Sequence, residues 1–209
     1  MKLPLVLLTL GVLALGVSAY RPADAFTWIL EVFPAILGSA AMIATYRKFP
    51  LTNLLYSLIF VHALILMGGG HYTYAEVPLG YWMEDWFGFT RNHYDRIGHF
   101  AQGFVPAIIA RELLIRHRVV NAARSFWLGL VIVLCCLGVS AIYELIEWWT
   151  AATTGSSADA FLGTQGDVWD SQKDMFMAGI GALTAITSLS RVHDSALLAF
   201  PQAPESSRP

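Results

Sequence analysis

Long apolar stretches, each about the length of a membrane-spanning helix, recur along the whole chain. The first, residues 3–20, reads LPLVLLTLGVLALGVSAY and contains no charged side chain. A helix that crosses the hydrocarbon core of a bilayer needs roughly 20 mostly apolar residues. Six stretches meet this requirement, namely residues 3–20, 26–46, 51–70, 94–115, 125–149 and 168–190. The pattern predicts an all-α polytopic membrane bundle of about six transmembrane helices.

The composition excludes the common classes of water-soluble protein. Charged residues make up 13% of the chain and hydrophobic residues 56%, whereas soluble domains carry about 25% charged residues. A chain so poor in charge cannot cover a water-facing surface, so neither an ordinary soluble enzyme nor a disordered chain fits. The net charge of −2 leaves no basic surface for nucleic acid. Cys135 and Cys136 are adjacent inside an apolar stretch and indicate no disulfide framework.

The chain is predicted to form one transmembrane domain, residues 1–190, followed by a disordered cytoplasmic tail, residues 191–209, because its end is rich in Pro and Ser. The first apolar stretch has a second interpretation as a cleaved secretory signal, since Lys2 precedes it and small residues follow it. Its apolar core of about 17 residues is long for a signal. Retention as a transmembrane helix is therefore favoured.

Basic residues in the short loops predict the orientation of the helices, because cytoplasmic loops carry an excess of Lys and Arg. With six spans, the basic residues fall mostly on one side: Lys2, Arg47, Lys48, Arg111, Arg116, Arg118, Arg124 and Arg191. The segments on the other side carry more acidic than basic residues. Both termini are therefore predicted to be cytoplasmic. The aromatic segment 71–93 on the outer side is predicted to lie along the membrane interface, with a lid over the bundle as the alternative.

Ionisable side chains gather near the outer ends of three predicted helices. A charged residue inside a span costs on the order of 2.5–3.5 kcal/mol by insertion scales, so such residues mark functional sites or buried pairs. Here they recur every three or four residues, which places them on one face of each helix. The three stripes are Asp95, His99 and Gln102; Ser140, Glu144 and Glu147; and Asp167, Asp170 and Asp174. The stripes are predicted to face one another.

So many carboxylates cannot all be ionised in a low-dielectric pocket without cations. Arg96 and Lys173 supply two positive charges, and a divalent metal ion would supply more. The candidates for catalysis, and equally for metal ligation, are Asp95, His99, Glu144, Glu147, Asp170 and Asp174. The candidates for substrate binding are His71, Tyr72, Tyr74, Arg96, Gln102 and Lys173. The alternative is a buried salt-bridge network that only fixes helix packing, and the sequence contains no specific metal signature such as HExxH.

Single residues elsewhere carry smaller predictions. His62, in the middle of the third stretch, is predicted to be a hydrogen-bonded helix contact. His117 and His193 are predicted to be solvated at the cytoplasmic side. Small residues permit close approach of membrane helices, and this role is predicted for Gly129, Gly138, Gly179 and Gly181.

Four motifs surround the polar stripes. They occupy residues 71–74, 92–103, 143–148 and 166–175 and read HYTY, NHYDRIGHFAQG, YELIEW and GDVWDSQKDM. Together they resemble the YjdF-like family of bacterial inner-membrane proteins, over roughly residues 5–190. The resemblance implies a multi-pass protein of the bacterial inner membrane and no particular chemistry.

A weaker resemblance rests on the segment DRIGHF at 95–100 and on the acidic pair Glu144 and Glu147 followed by residues 170–174. These features are similar to VanZ-like membrane proteins, which are associated with glycopeptide-antibiotic tolerance. The sequence departs from that pattern at Asp174, where the looser pattern has Asn, and at Trp148, where it has a Gln-type residue. The resemblance therefore does not imply a shared mechanism.

Three functions remain open from the sequence, which does not decide whether the protein is an enzyme. The first is binding or hydrolysis of a membrane lipid or lipid-linked envelope substrate at the outer leaflet, with or without a metal ion. The second is proton- or cation-coupled transport. The third is a non-catalytic envelope scaffold whose polar residues only hold helices together. The substrate, the ion and the oligomeric state are not encoded in any motif.

Overall fold

The computed structural model describes residues 2–120, 126–155 and 159–199, which fold into helices and loops without a strand. The helices are α1 (Lys2–Ser18), α2 (Ala25–Thr45), α3 (Asn53–Tyr72), α4 (Pro78–Phe87), α5 (Tyr94–Arg116), α6 (Phe126–Thr154), α7 (Asp159–Leu162) and α8 (Asp170–Leu198). A 3₁₀ turn, Tyr74–Glu76, lies between α3 and α4. The long helices coincide with the six apolar stretches of the sequence, and the all-α prediction is confirmed.

The last helix is longer than the sequence predicted. It continues through Leu198, so residues 191–198, assigned above to a tail, are helical. Two features explain the extension, because no helix-breaking Gly or Pro interrupts the segment and His193 is fully buried. The remaining tail, residues 200–209, lies outside the described residues, as does Arg124.

Four helices, α2, α3, α6 and α8, are long and apolar enough to cross a membrane. Helix α1 is also apolar but has 17 residues. Helix α5 has 23 residues but is not one of these four, because polar and charged side chains interrupt its apolar sequence. Two of them, Arg111 and Glu112, are buried against neighbouring helices. Large apolar side chains instead face outward from the bundle, as Val17 and Leu145 do at 72% and 60% exposure. Such a surface suits lipid rather than water.

Helix α5 is central and packs against α3, α6 and α8, while α1 and α2 pack mainly against α3. At one end of the bundle α2, α5 and α8 begin and α1, α3 and α6 end. This is called the site end, and the other is the opposite end. The long helices therefore alternate in direction, as a chain that repeatedly crosses a membrane requires.

Glycines hold α5 and α8 close together. A Cβ on Gly103 would lie 1.8 Å from the carbonyl oxygen of Ala178, and one on Gly181 would lie 2.1 Å from that of Phe100. The sequence prediction was correct for Gly181. It was wrong for Gly129 and Gly138, which have open space around them, because the glycines of α6 face away from the close helix contact.

The segment between α3 and α5 lies across the site end. Helix α4 starts at Pro78, stops at Gly88 in the left-handed conformation (φ 68°), and exposes Trp82 and Trp86. Tyr74, by contrast, is buried in the space left by Gly69 and Gly98, where a Cβ would lie 2.1 and 2.7 Å from its ring. The segment therefore has an aromatic outer surface and inserts one tyrosine into the bundle.

Candidate functional site

Two arginines neutralise the aspartates at the start of α8. Arg96, from α5, donates hydrogen bonds to Asp174 and, at 2.5 Å, to Asp170. Arg91 donates to Asp170 at 3.1 Å and to Asp167 at 3.2 Å. These five residues are called the arginine cluster. Each of its carboxylates has at least one guanidinium partner, so the cluster is a buried ion-pair network that joins α5 to α8.

Two loops position Arg91 for this role. The Asn92 N–H donates to the side chain of Gln165 at 3.0 Å, and the Gln165 amide donates back to the Asn92 carbonyl at 2.9 Å. Arg91 itself donates to the Thr164 carbonyl at 3.0 Å. A Cβ on Gly80 would lie 1.6 Å from Oδ1 of Asn92, so α4 also packs directly on this junction.

His99 is the centre of a second group, the histidine cluster, which comprises Asp95, His99, Glu144 and Glu147. Nε2 of His99 lies 3.4 Å from Oδ1 of Asp95 and 3.8 Å from Oε1 of Glu144. Oδ1 of Asp174, already bonded to Arg96, lies 3.7 Å away. All three distances exceed an ordinary hydrogen bond. The imidazole is thus surrounded by carboxylate oxygens without being paired closely to any of them.

The tautomer of His99 follows from its other nitrogen. Nδ1 lies 3.0 Å from Oε1 of Gln102, and an amide oxygen only accepts, so Nδ1 carries the hydrogen. In the neutral imidazole the lone pair is therefore on Nε2, which faces the carboxylates. Gln102, predicted to bind substrate, instead orients the histidine.

The glutamates of this region have no arginine or lysine partner among the described residues. Glu144 is 7% exposed, and its Oε1 atom has no hydrogen-bond partner within the described part of the chain. Glu31, on α2, accepts one hydrogen bond, from the Tyr143 hydroxyl at 3.3 Å. The histidine cluster and Glu31 therefore hold excess negative charge, which favours a cation or a shared proton.

A cavity of about 190 Å³ adjoins the histidine cluster. It is lined by Glu31, Pro34, His62, Leu66, Tyr74, Asp95, Gly98, His99, Gln102, Pro106, Val139, Tyr143 and Glu147. It reaches from the site end to His62, in the middle of α3. The prediction of a hydrogen-bonded His62 was wrong, because its Nε2 atom is buried without a partner among the described residues.

Two sets of side chains have ligand atoms close enough to hold a metal ion. In one, Asp95, His99 and Asp174 offer atoms within 4.8 Å of one another, and in the other His99, Glu144 and Glu147 do so. His99 belongs to both sets. The sequence had grouped six residues into one site. In the structure Asp170 pairs with Arg96 and Arg91, while Asp174 contacts both Arg96 and His99 and so links the two clusters.

Three of the predicted substrate-binding residues lie away from the cavity. Nδ1 of His71 lies 2.9 Å from the Ser18 carbonyl at the end of α1, and Tyr72 packs edge-on against His71. The Lys173 side chain is 54% exposed and donates to Asp167 at 2.6 Å. That hydrogen bond, together with one from the Trp169 N–H, lowers the pKa of Asp167. Tyr74, Arg96 and Gln102 do lie within the site.

Arg91 and Tyr143 were missed by the sequence reasoning. Arg91 lies in a loop, outside the helical stripes that identified the other residues, and its role depends on the contact with 163–167. Tyr143 immediately precedes Glu144, and its pairing with Glu31 depends on how α2 approaches α6. The sequence did offer one signal for Tyr143, because Glu31 lies near the site end of its own helix.

A third group of buried charges lies at the opposite end and is called the opposite-end cluster. Its members are Thr52, Arg111, Glu112, Arg116, His193 and Asp194. Glu112 is fully buried and accepts from the Thr52 N–H at 3.0 Å, the Thr52 hydroxyl at 2.7 Å and Arg116 at 2.9 Å. Its carboxylate also lies 3.0 Å from Nε2 of His193. Both carboxylate oxygens are therefore satisfied.

His193, predicted to be solvated, is fully buried within this cluster. Arg111 donates to its Nδ1 at 2.8 Å, and since arginine only donates, Nδ1 carries no hydrogen. Nε2–H then donates to Glu112, which makes the imidazole neutral. Arg111 also pairs with Asp194 at 2.5 Å. The prediction failed because α8 extends past the apolar stretch and returns His193 to the bundle.

Comparison with known proteins agrees with this architecture. The family described as "Predicted membrane protein (DUF2238)" matches residues 3–195. Inner membrane protein YjdF of Escherichia coli strain K12 is 50% identical over 195 residues, which cover 92% of this chain and 90% of the relative. No solved structure matches the chain. Together with its apolar helices, these matches identify a multi-pass protein of the bacterial inner membrane, and the chain belongs to the YjdF-like DUF2238 family of membrane proteins.

Proposed function

We propose that the protein binds and hydrolyses a lipid or lipid-linked envelope substrate at the outer surface of the inner membrane. The observation that carries the proposal is the 190 Å³ cavity, which joins His99 and Asp95 to glutamates that no cation neutralises. Cavities with a few converging polar groups are the usual place for small-molecule chemistry. Unpaired carboxylates beside a histidine are typical of acid–base sites.

The proposal includes an orientation with six membrane-spanning helices and both termini in the cytoplasm. The opposite end carries the basic loop residues Arg47, Lys48 and Arg118, which favours a cytoplasmic position for that end. The site end carries the exposed aromatic residues Trp82 and Trp86, and Trp favours the headgroup level. The cavity would then lie near the depth of outer-leaflet headgroups. Alkaline phosphatase fused after residue 88 should be active and after residue 118 inactive, and the reverse would contradict this orientation.

A lipid substrate is favoured by a second space in the bundle. An apolar groove of about 600 Å³ lies between α1, α2 and α3 and is lined by side chains such as Leu8, Ile43 and Phe60. Such a groove suits an acyl or prenyl chain, because its walls offer apolar contact along its length. Both α2 and α3 contribute walls to this groove and to the polar cavity, so one molecule could place its tail in the groove and its headgroup in the cavity.

The proposed chemistry is water attack on an ester or phosphoester bond of the headgroup. Nε2 of His99 accepts a proton from the attacking water, while Asp95 stabilises the resulting imidazolium. The bond to the leaving oxygen breaks, and a carboxyl group of Glu144 or Glu147 gives that oxygen a proton. Arg96 is a positioning residue in this scheme, because both of its terminal nitrogens are engaged by aspartates.

The test is turnover of lipid by the purified protein reconstituted in vesicles of bacterial lipid extract. Mass spectrometry should detect loss of one lipid species and appearance of its hydrolysis product. His99→Ala should reduce the rate at least about 100-fold, in the range that general acid–base groups contribute. Asp85→Asn, an exposed carboxylate change on α4, is the matched control and should leave the rate unchanged. Equal turnover by His99→Ala and the wild type would overturn the proposal.

Transport remains a second candidate because the cavity reaches His62 at the middle of α3. A histidine at that depth without a hydrogen-bond partner is typical of a proton or cation relay. In that case proteoliposomes should show proton or cation flux that His62→Phe abolishes. Flux without lipid turnover would favour the transporter over the hydrolase.

A further inference from the structure

Of the three groups of buried charges in the described residues, one includes glutamates that no arginine or lysine contacts. In the arginine cluster and the opposite-end cluster, arginine pairs with the acidic residues. In the histidine cluster Asp95 alone contacts an arginine, through Oδ2, at 3.2 Å. Oδ1 of Asp95 and both glutamates face His99 instead. The negative charge that no arginine neutralises is therefore located beside His99.

We infer that His99, Glu144 and Glu147 form a binding site for one divalent metal ion. The inference rests on the site proposed above being functional. With an ion bound, Nε2 of His99 would be a ligand, and the ion would replace it as the group that activates the attacking water. The claim concerns binding, and it is tested separately from any turnover.

The distances within the cluster fit a coordination shell. Four ligands around Zn²⁺ in a tetrahedron, with bonds of about 2.0–2.2 Å, lie about 3.3–3.6 Å from one another. Nε2 of His99 is 3.8 Å from Oε1 of Glu144. Atoms of His99, Glu144 and Glu147 all lie within 4.8 Å of each other. Three protein ligands leave the fourth position of a tetrahedral shell to a water molecule, as in catalytic zinc sites.

An unpaired oxygen independently indicates a ligand. Oε1 of Glu144 has no hydrogen-bond partner among the described residues, although the residue is 93% buried. Leaving such an atom unsatisfied costs about 1–3 kcal/mol and more for a charged group. An ion bound between Glu144 and His99 would satisfy it.

The surroundings of His99 also suit metal binding. Gln102 accepts the Nδ1 hydrogen and thereby leaves the Nε2 lone pair toward the carboxylates. A hydrogen bond on the far nitrogen is the usual way in which a metal-ligating histidine is oriented. Arg96 occupies Asp174, which keeps that carboxylate out of the shell and makes Glu144 and Glu147 the required ligands.

The donor set favours one chemical class of ion. One imidazole nitrogen and two carboxylate oxygens suit Zn²⁺ or Mn²⁺, whereas Ca²⁺ takes six to eight oxygens and Mg²⁺ usually keeps several waters. Separate titrations with Zn²⁺, Mn²⁺ and Mg²⁺ will distinguish these ions.

The experiment uses full-length protein without an affinity tag, stripped with EDTA and held in lipid nanodiscs. Isothermal titration with Zn²⁺ and with Mn²⁺ should give one equivalent of saturable binding for at least one of them. Glu144→Gln and His99→Gln should each weaken it at least about 100-fold, because loss of a ligand exceeds the 10–100-fold effect of an outer-shell partner. Asp85→Asn should bind as the wild type does.

The outcomes separate the two proposals. Absence of a stoichiometric site in the wild type, or unchanged affinity in Glu144→Gln that is folded by circular dichroism, overturns the metal inference. If one variant does not fold, the other decides, and nitrogen hyperfine coupling to Mn²⁺ in the wild type reports the histidine directly. Metal binding without lipid turnover would retain the metal site and reject the hydrolase. Lipid turnover by protein that binds no metal ion would retain the hydrolase and reject the metal site.

Discussion

At each end of α5 a glutamate is buried beside a histidine, and the two arrangements are opposite in character. At the opposite end Glu112 is contacted by Thr52, Arg116 and His193 and has no unsatisfied oxygen. At the site end Glu144 has an unpaired oxygen, and its cluster adjoins a cavity. A fully satisfied polar network fixes a structure, whereas a partly satisfied one leaves coordination capacity for a ligand. The difference indicates a structural lock at one end and a binding site at the other.

The comparison also explains why charge alone does not identify a site. Both regions combine helix-borne carboxylates, a histidine and nearby arginines, and both are buried. The two regions differ in the ratio of hydrogen-bond donors to acceptors within about 4 Å of the buried glutamate, and helix packing sets that ratio. Four tests by substitution would break or sharpen the contrast.

The largest effect is expected from Glu112→Ala. This carboxylate is the acceptor that Arg116, the Thr52 hydroxyl and Nε2–H of His193 share, and the substitution removes it. Breaking a buried ion-pair network by deleting one partner costs about 3–5 kcal/mol. Unfolding in SDS titration should report this loss. A decrease below 1 kcal/mol would refute the structural-lock interpretation.

A somewhat smaller loss, or failure to assemble, is expected from Gly103→Ala. The added methyl group would lie 1.8 Å from the Ala178 carbonyl oxygen, so α5 and α8 must separate, at a cost typical of overpacking, about 1–3 kcal/mol. Gly129→Ala is the matched control, because nothing lies within 4 Å of that position. Thermal unfolding midpoints in detergent should fall for the first variant only. Equal midpoints would contradict the close helix contact.

Within the arginine cluster, Arg96→Gln should destabilise more than Arg91→Gln. Arg96 is the sole arginine on Asp174, whereas Asp170 keeps one arginine when Arg91 is lost. The difference between the two variants should be about 1.5–3 kcal/mol, the scale of hydrogen bonds to charged groups. The same SDS titration measures both. The reverse order would show that Arg91 is the principal partner of α8.

The smallest effect on stability is expected from Glu144→Gln in metal-free protein. The substitution removes a buried charge that has no cationic partner, so the free energy of unfolding should rise or change by less than about 0.5 kcal/mol. Glu112→Gln is the matched comparison and should destabilise clearly. A loss at Glu144 as large as that at Glu112 would remove the distinction between the two clusters.

Much of the fold was predictable from the sequence, because a run of apolar residues of bilayer length has few alternatives to a helix. Helical periodicity also placed Asp95 with His99 and Glu144 with Glu147 on common faces. The partners across helices were not predictable. Gly103 contacts Ala178, and Arg91 reaches Asp170, through lateral packing and loop contacts that no repeat in the sequence encodes.

The sequence by itself determined that this is a helical membrane protein and that most of its acidic residues gather at one end. These properties depend on the length of apolar runs and on spacing along single helices, which are local. The tertiary structure decided which charges pair. Whether a carboxylate lies 3 or 6 Å from an arginine depends on the approach of α5 and α8, and Coulomb energy at low dielectric changes steeply over that range. That approach places Arg96 against Asp170 and Asp174 and leaves Glu144 beside His99 without an arginine partner among the described residues.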